Sequence, residues 1–334
     1  MYTLKIPVSV ADRLPDRALE PLQDVISRYA AWSARLPWES KFYLNKRPAV
    51  RPQATSGPTV ARFEPDLAPI FFDYHSILTS QVLLRGWRVD QLIEGLAGAL
   101  ANWNITVAAT TARALVETAC AWSIESKEIA DTWNSVAKVS VQDLDALSAA
   151  RRNMIASLKQ VSVGTRLSDL INSDKGVQRT NVLTHIQKAA KTSGYFPLIQ
   201  QYEELSDAVH PSWGSMEIFW AEVGVSKELL QSRVLLSRTA AGQPGDRTMQ
   251  PVVPGSGLIL TILASATWAC ERLLADLEEF EVLCRDVCLT CQIFTLQELD
   301  YWTVVRPTDL YQPCACGSGK KTRFCVHKFG RSGL

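Results

Sequence analysis

Between residues 66 and 135 the chain runs with few helix breakers and returns apolar side chains at helical spacing: Ile70, Phe71, Tyr74, Ile77 and Leu78, then Leu92, Ile93, Leu96 and Leu100, then the alanine- and valine-rich run 105–125. Stripes of this kind are stable only when they face one another, so two or three packed helices account for the stretch. The same pattern returns at 141–160 and 179–192, around Leu198–Val209, and over a long closing helix of about Gly257–Cys288. The sequence predicts a mainly α protein, a helical bundle. There is room for a small β-hairpin where Met216–Val223 and Ser232–Ser237 concentrate β-forming side chains.

The chain divides by composition. Residues 1–36 carry an amphipathic opening helix, with Ala18, Leu22, Val25, Ile26 and Tyr29 on one side and its surest start at Pro21. Residues 37–65 are rich in proline, glycine and serine and read as a linker or arm; 66–305 form the bundle; 306–334 form a separate tail. A net charge of +1 gives no global footprint for nucleic acid or membrane. The apolar window Leu258–Cys270 is interrupted by Thr261, Ser265 and Thr267 and predicts a buried helix too short to cross a bilayer. The first residues lack a basic segment followed by an apolar core, so the expected compartment is a reducing cytoplasm.

The tail carries the clearest chemistry. Cys314, Cys316, Cys325 and His327 fall within fourteen residues, a ligand set suited to tetrahedral Zn²⁺, and a segment this short needs metal bonds to supply its folding energy. Gly317 and Gly319 allow the tight loop that aims two cysteines at one ion. Four protein ligands leave no open position, so the zinc is structural. Lys320, Lys321, Arg323 and Lys328 crowd the same stretch, with no carboxylate side chain after Asp309, and offer a face to phosphates or to an acidic surface. The plainer reading is a tail with incidental or disulfide-paired cysteines, its basic residues serving solubility. The Gly-Ser-Gly-Lys-Lys-Thr run is not a phosphate loop, because Cys314 and Lys321 stand where that pattern needs glycine and Ser or Thr.

The run Cys-x-Cys-Gly-Ser-Gly-Lys-Lys, with eight residues between Cys316 and Cys325, resembles the SEC-C motif over residues 313–328. The family places its last ligand directly after the third cysteine, whereas Val326 precedes His327 here, which leaves the fourth ligand open. The resemblance implies zinc and docking to a protein or ribosome, and no reaction. Together with the basic residues it suggests an adaptor whose tail recruits a protein, ribosome or nucleic acid while the bundle binds something else or forms a homodimer.

Within the bundle, Arg113 and Glu117 sit four apart among apolar residues, and Tyr202, Ser206 and His210 share a face by the same spacing. If the two helices are neighbours, the five side chains converge on one buried polar network in which each must find a partner. The patterns Arg-x-Leu-x-Glu at 113–117 and Tyr-x-x-Leu-Ser-x-x-x-His-Pro-Ser at 202–212 resemble an uncharacterised bacterial helical domain over roughly residues 66–290, and the HEPN class of helical domains. Some HEPN domains are ribonucleases with an arginine and a histidine four to six residues apart. Arg179 and His185 fit, with His210 as a second candidate, and imply a metal-independent ribonuclease serving phage defence or stress response. An imidazole beside a guanidinium suits that chemistry, but packed ion pairs and core histidines use the same residue types. His75 reads as a core histidine. Cys284, Cys288 and Cys291 continue the stripe Cys270, Leu273, Leu274, Leu277 and Phe280, so they read as small apolar residues rather than a second metal site.

Overall fold

In a computed structural model, the structure describes residues 3–7, 14–15, 17–38, 68–136, 149, 153–154, 156–157, 180–226, 231–236, 249–251 and 256–291. These residues are mainly helical. Helix α1 spans Glu20–Ser33, α2 Ala68–Ala101, α3 Ile105–Val136, α4 Val182–Ser193, α5 Pro197–Val209, α6 Trp213–Glu217 and α7 Ser256–Cys291. Backbone pairing over β1 (Trp220–Ser226), β2 (Gln231–Leu236) and β3 (Met249–Pro251) gives an antiparallel sheet ordered β2-β1-β3. Its register runs from Trp220 opposite Leu236 to Ser226 opposite Gln231, with a bulge at Trp220/Glu222. Met216, at the head of the first expected strand, instead lies in α6, because the 212–217 segment closes on itself through the bond from Ser212 N to Ser215 Oγ at 3.2 Å.

The helix ends follow local chemistry. Pro21 opens α1, where its missing N–H has no intrahelical partner to lose. Asn181 starts α4 by accepting the Leu183 N–H at 3.1 Å, and Gly194 ends it with φ of 71°. The turn from α2 to α3 is less expected: Trp103 takes φ of 49°, a conformation that helix ends usually assign to glycine, while Asn104 N reaches back to Ala99 O at 2.8 Å.

The chain forms two compact units, each assembled from three stretches. The first comprises Met1–Ala34, Trp87–Ile124 and Thr180–Ala275; the second comprises Arg35–Gly86, Glu125–Arg179 and Asp276–Leu334. In the first, Leu22, Val25, Ile26 and Tyr29 of α1 are buried, as are Ile93, Leu96 and Leu100 of α2, Leu115 and Trp122 of α3, and Ile259, Ile262 and Leu273 of α7. Helix α5 runs antiparallel to α7: Tyr195 stacks on Trp268, Gln201 accepts from Ser265 at 3.4 Å, and Glu204 accepts from Thr261 at 2.5 Å. In the second unit Leu78, Ile129, Trp133, Leu277 and Phe280 are buried, Trp133 Nε1 donates to Asp286 at 2.6 Å, and Arg85 pairs with Glu125 at 2.8 Å.

Length does not settle the role of α7, contrary to the expectation from its apolar window. Gly257–Val287 is long and apolar enough to cross a membrane, and half of its most apolar stretch is buried in the protein. The buried positions Ile259, Ile262, Ala266, Ala269, Cys270 and Leu273 recur at helical spacing, which is the pattern of a helix serving a core.

Candidate functional site

In the first unit, α3 and α5 bring together four of the five residues that spacing placed in one polar network. Arg113 Nε donates to Glu117 Oε1 at 3.0 Å, one helical turn along α3. Arg113 Nη2 donates to the Tyr202 hydroxyl at 3.2 Å, and that hydroxyl donates to Glu117 Oε1 at 2.8 Å, closing a three-membered ring of bonds across the two helices. The guanidinium carbon lies 5.3 Å from the Tyr202 ring centroid, adding attraction to the π face. Arg113 Nη1 stands 3.4 Å from His210 Nε2. Because arginine offers only donors, that contact suits an imidazole whose Nε2 carries no proton.

The ring of bonds is partly sheltered. Tyr202 is buried, Arg113 and Glu117 are half-buried, and His210 is exposed. Burial works to lower the Arg113 pKa, but the Tyr202 hydroxyl and the Glu117 carboxylate outweigh it and raise it above its ordinary value. Burial raises the Tyr202 pKa, and its bond to Glu117 adds to the effect, so the phenol keeps the proton it donates. Ser206 departs from the expected network. Its hydroxyl oxygen is buried with no hydrogen-bond partner, because the neighbouring donors and acceptors close on one another one turn away. With Glu117 Oε1 already accepting two bonds, the arrangement clasps α3 to α5 and leaves His210 as its solvent-facing member.

The corner after α5 fixes where His210 sits. His210 N donates to Ser206 O at 3.0 Å, closing the helix, and Ser212 N returns to His210 O at 2.7 Å. Asp207 Oδ2 accepts from Gly214 N at 3.0 Å, which brings the carboxylate against the backbone of α6. A Cβ at Gly214 would lie inside the van der Waals envelope of that carboxylate. Gly214→Ala should therefore break the Asp207 bond and lower stability by about 1–3 kcal/mol, measured by chemical denaturation. An unchanged midpoint would mean that the Asp207–Gly214 bond contributes nothing.

No protein-family model, curated protein or solved structure matches the chain.

His185 is buried on α4 at 5% exposure, and its spacing partner Arg179 lies outside the described residues. The side chain of His75 lies outside them as well, as do Cys314, Cys316, Cys325 and His327 and the basic Lys320, Lys321, Arg323 and Lys328. Among the described residues no three His, Cys, Asp or Glu side chains are grouped to hold a metal ion. Cys284 is buried at 1% exposure, and the side chains of Cys288 and Cys291 fall outside the description.

Cys120 of α3 and Cys270 of α7 are free thiols at zero exposure. Burial pushes Cys120 up to about 12, with the Glu117 charge adding to it, and pushes Cys270 up to about 12, with Glu271 adding. Reactivity follows the thiolate, so both should be inert to an aromatic disulfide reagent in the native protein and react fully in denaturant. The sign of the pH effect follows from the raised values. In the unfolded chain these thiols ionise near pH 9, whereas the folded protein keeps their protons to about 12. Their contribution is complete below about pH 9 and is lost as pH rises towards 12. Fast native-state labelling of either thiol at pH 8 would contradict this burial.

Two polar contacts escaped the sequence reading. Arg85 and Glu125 stand 40 residues apart and Trp133 and Asp286 stand 153 apart, so no helical spacing joins them. Asp207 and Gly214 offered a fainter signal, a carboxylate followed by Pro-Ser-x-Gly at a helix end.

Proposed function

We propose that the chain is a zinc-binding interaction protein whose basic C-terminal knuckle docks a protein, ribosome or nucleic-acid partner to a helical bundle. The observation carrying this reading is the donor set Cys314, Cys316, Cys325 and His327, spaced around Gly317 and Gly319. Three thiolates and an imidazole fit Zn²⁺, which would supply folding energy to the tail and no chemistry. Lys320, Lys321, Arg323 and Lys328 are the residues that would meet the partner. The clasp of Arg113, Glu117 and Tyr202, with its hydrogen bonds closed on one another, supports a structural role for the bundle's polar residues.

Elemental analysis of protein purified from zinc-replete medium should find one zinc per chain, and Cys316→Ser and His327→Ala should each reduce that stoichiometry. Metal-free protein from such medium would end the reading. Affinity capture with the full chain, compared with protein ending at Asp309, should then lose the partner that the tail recruits.

A second reading, a HEPN-like metal-independent ribonuclease, draws support from the exposed His210 imidazole beside the Arg113 guanidinium. In this reading Arg179 and His185 are the first candidates and His210 the second, and the role would lie in phage defence or stress response. Incubation with total RNA and a chelator separates the readings. Cleavage lost in His185→Ala or His210→Ala supports the nuclease, and intact RNA supports the adaptor.

A further inference from the structure

Helix α6 and the turn after it turn three large apolar side chains outward. Trp213 is 65% exposed, Met216 59% and Phe219 45%, whereas Ile218 between them is buried at 6%. Their spacing of three keeps them on one side, because Phe219 N bonds to Met216 O at 3.1 Å and carries the helical path through the turn. Single exposed apolar residues are ordinary, but an aromatic, a methionine and a second aromatic in one row are what recognition surfaces concentrate. The row is also held in place. Asp207 fastens Gly214 at 3.0 Å, and Ser215 Oγ donates to Ser212 O at 2.8 Å, so little order would be lost on binding.

Charge and size select the occupant. Helix α5 carries Glu203, Glu204 and Asp207 and no basic residue. Glu203 and Asp207 are exposed one turn apart, and the Asp207 carboxylate touches the residue after Trp213. The row exposes on the order of 350 Å², under half of the roughly 800 Å² that each partner contributes to a stable complex of two globular proteins. An area of that size suits one helical turn or two of a partner, and the adjoining carboxylates suit lysine and arginine on its flanks. We propose that the Trp213, Met216 and Phe219 row, with Asp207 beside it and Glu203 one turn further back on α5, is a docking surface for a basic amphipathic peptide segment of a partner protein. It stands on residues of the first unit alone and does not depend on the zinc reading.

The full-length protein should be titrated against a labelled synthetic 18-residue helical peptide with leucines on one face and lysines on the other. A second peptide has every lysine replaced by glutamate. The lysine peptide should bind at least about tenfold more tightly than the glutamate peptide, and more weakly as salt rises. The double variant Trp213→Ser, Met216→Ser should weaken binding by about tenfold. Glu203→Lys, a surface change that leaves the fold intact by circular dichroism, should weaken it by about threefold to fivefold and serves if the double variant does not fold. Zinc removal should leave the affinity unchanged, which separates this surface from the tail. Absence of binding, equal binding of both peptides, or indifference to Glu203→Lys would overturn the proposal. So would Trp213-dependent capture of the protein by anionic phosphatidylserine vesicles in place of the peptide.

Discussion

Arg85→Ala is expected to lower the unfolding free energy by about 3–5 kcal/mol, the largest loss anticipated from any single polar residue in the described structure. Arg85 and Glu125, both of the second unit, meet at 2.8 Å with side chains only 11% and 9% exposed. Removing the guanidinium leaves the carboxylate in surroundings that cannot rehydrate it. The attraction within the pair is largely offset by what both groups lost on leaving water, so replacing both should be much milder than replacing one. Arg85→Met combined with Glu125→Leu should restore most of the stability. Equilibrium denaturation checks both arms; a loss below about 1 kcal/mol in Arg85→Ala would show that water reaches the pair.

Arg113→Ala is expected to cost about 2 kcal/mol, less than the Arg85 pair because its partner Glu117 remains a third exposed and solvent screens part of the attraction. The loss should be shared with Tyr202. Tyr202→Phe alone should cost about 1 kcal/mol, and the double variant should fall short of the sum by about 1 kcal/mol, because the hydroxyl donates to Glu117 while it accepts from Arg113. His210→Ala should shift stability by less than about 0.5 kcal/mol, since its contact with Arg113 is long at 3.4 Å and faces water. A cost for His210→Ala equal to that for Arg113→Ala would place the imidazole inside the clasp rather than at its edge.

Periodic burial was the most legible property of the chain. Of the five residues assigned to one face of the opening helix from spacing alone, the structure buries Leu22, Val25, Ile26 and Tyr29, whereas Ala18 stands in the turn before α1 and is half-buried. The same logic placed Arg113 with Glu117, and Tyr202 with Ser206 and His210, because residues four and eight apart on a helix share a side. Spacing could say which residues face one way but not which of them would bond, and so Ser206, on the right face, ends with an unbonded hydroxyl. Met216 was misplaced in a strand because its β-forming neighbours in sequence outweighed a local closure between Ser212 and Ser215 that no propensity scale registers. Arg85 and Glu125 were illegible for a simpler reason: they sit on different helices, and one sequence holds no trace of which helices become neighbours.

The first unit draws its helices from Met1–Ala34, Trp87–Ile124 and Thr180–Ala275. During synthesis, α1 must therefore wait for α7, whose Glu271 pairs with Arg28 at 3.6 Å and leaves the ribosome more than two hundred residues later. Until then the nascent chain holds sticky helices without their closing partner, the situation in which chaperones engage and truncated products aggregate. A premature stop anywhere before residue 256 should yield an insoluble fragment rather than a smaller working protein.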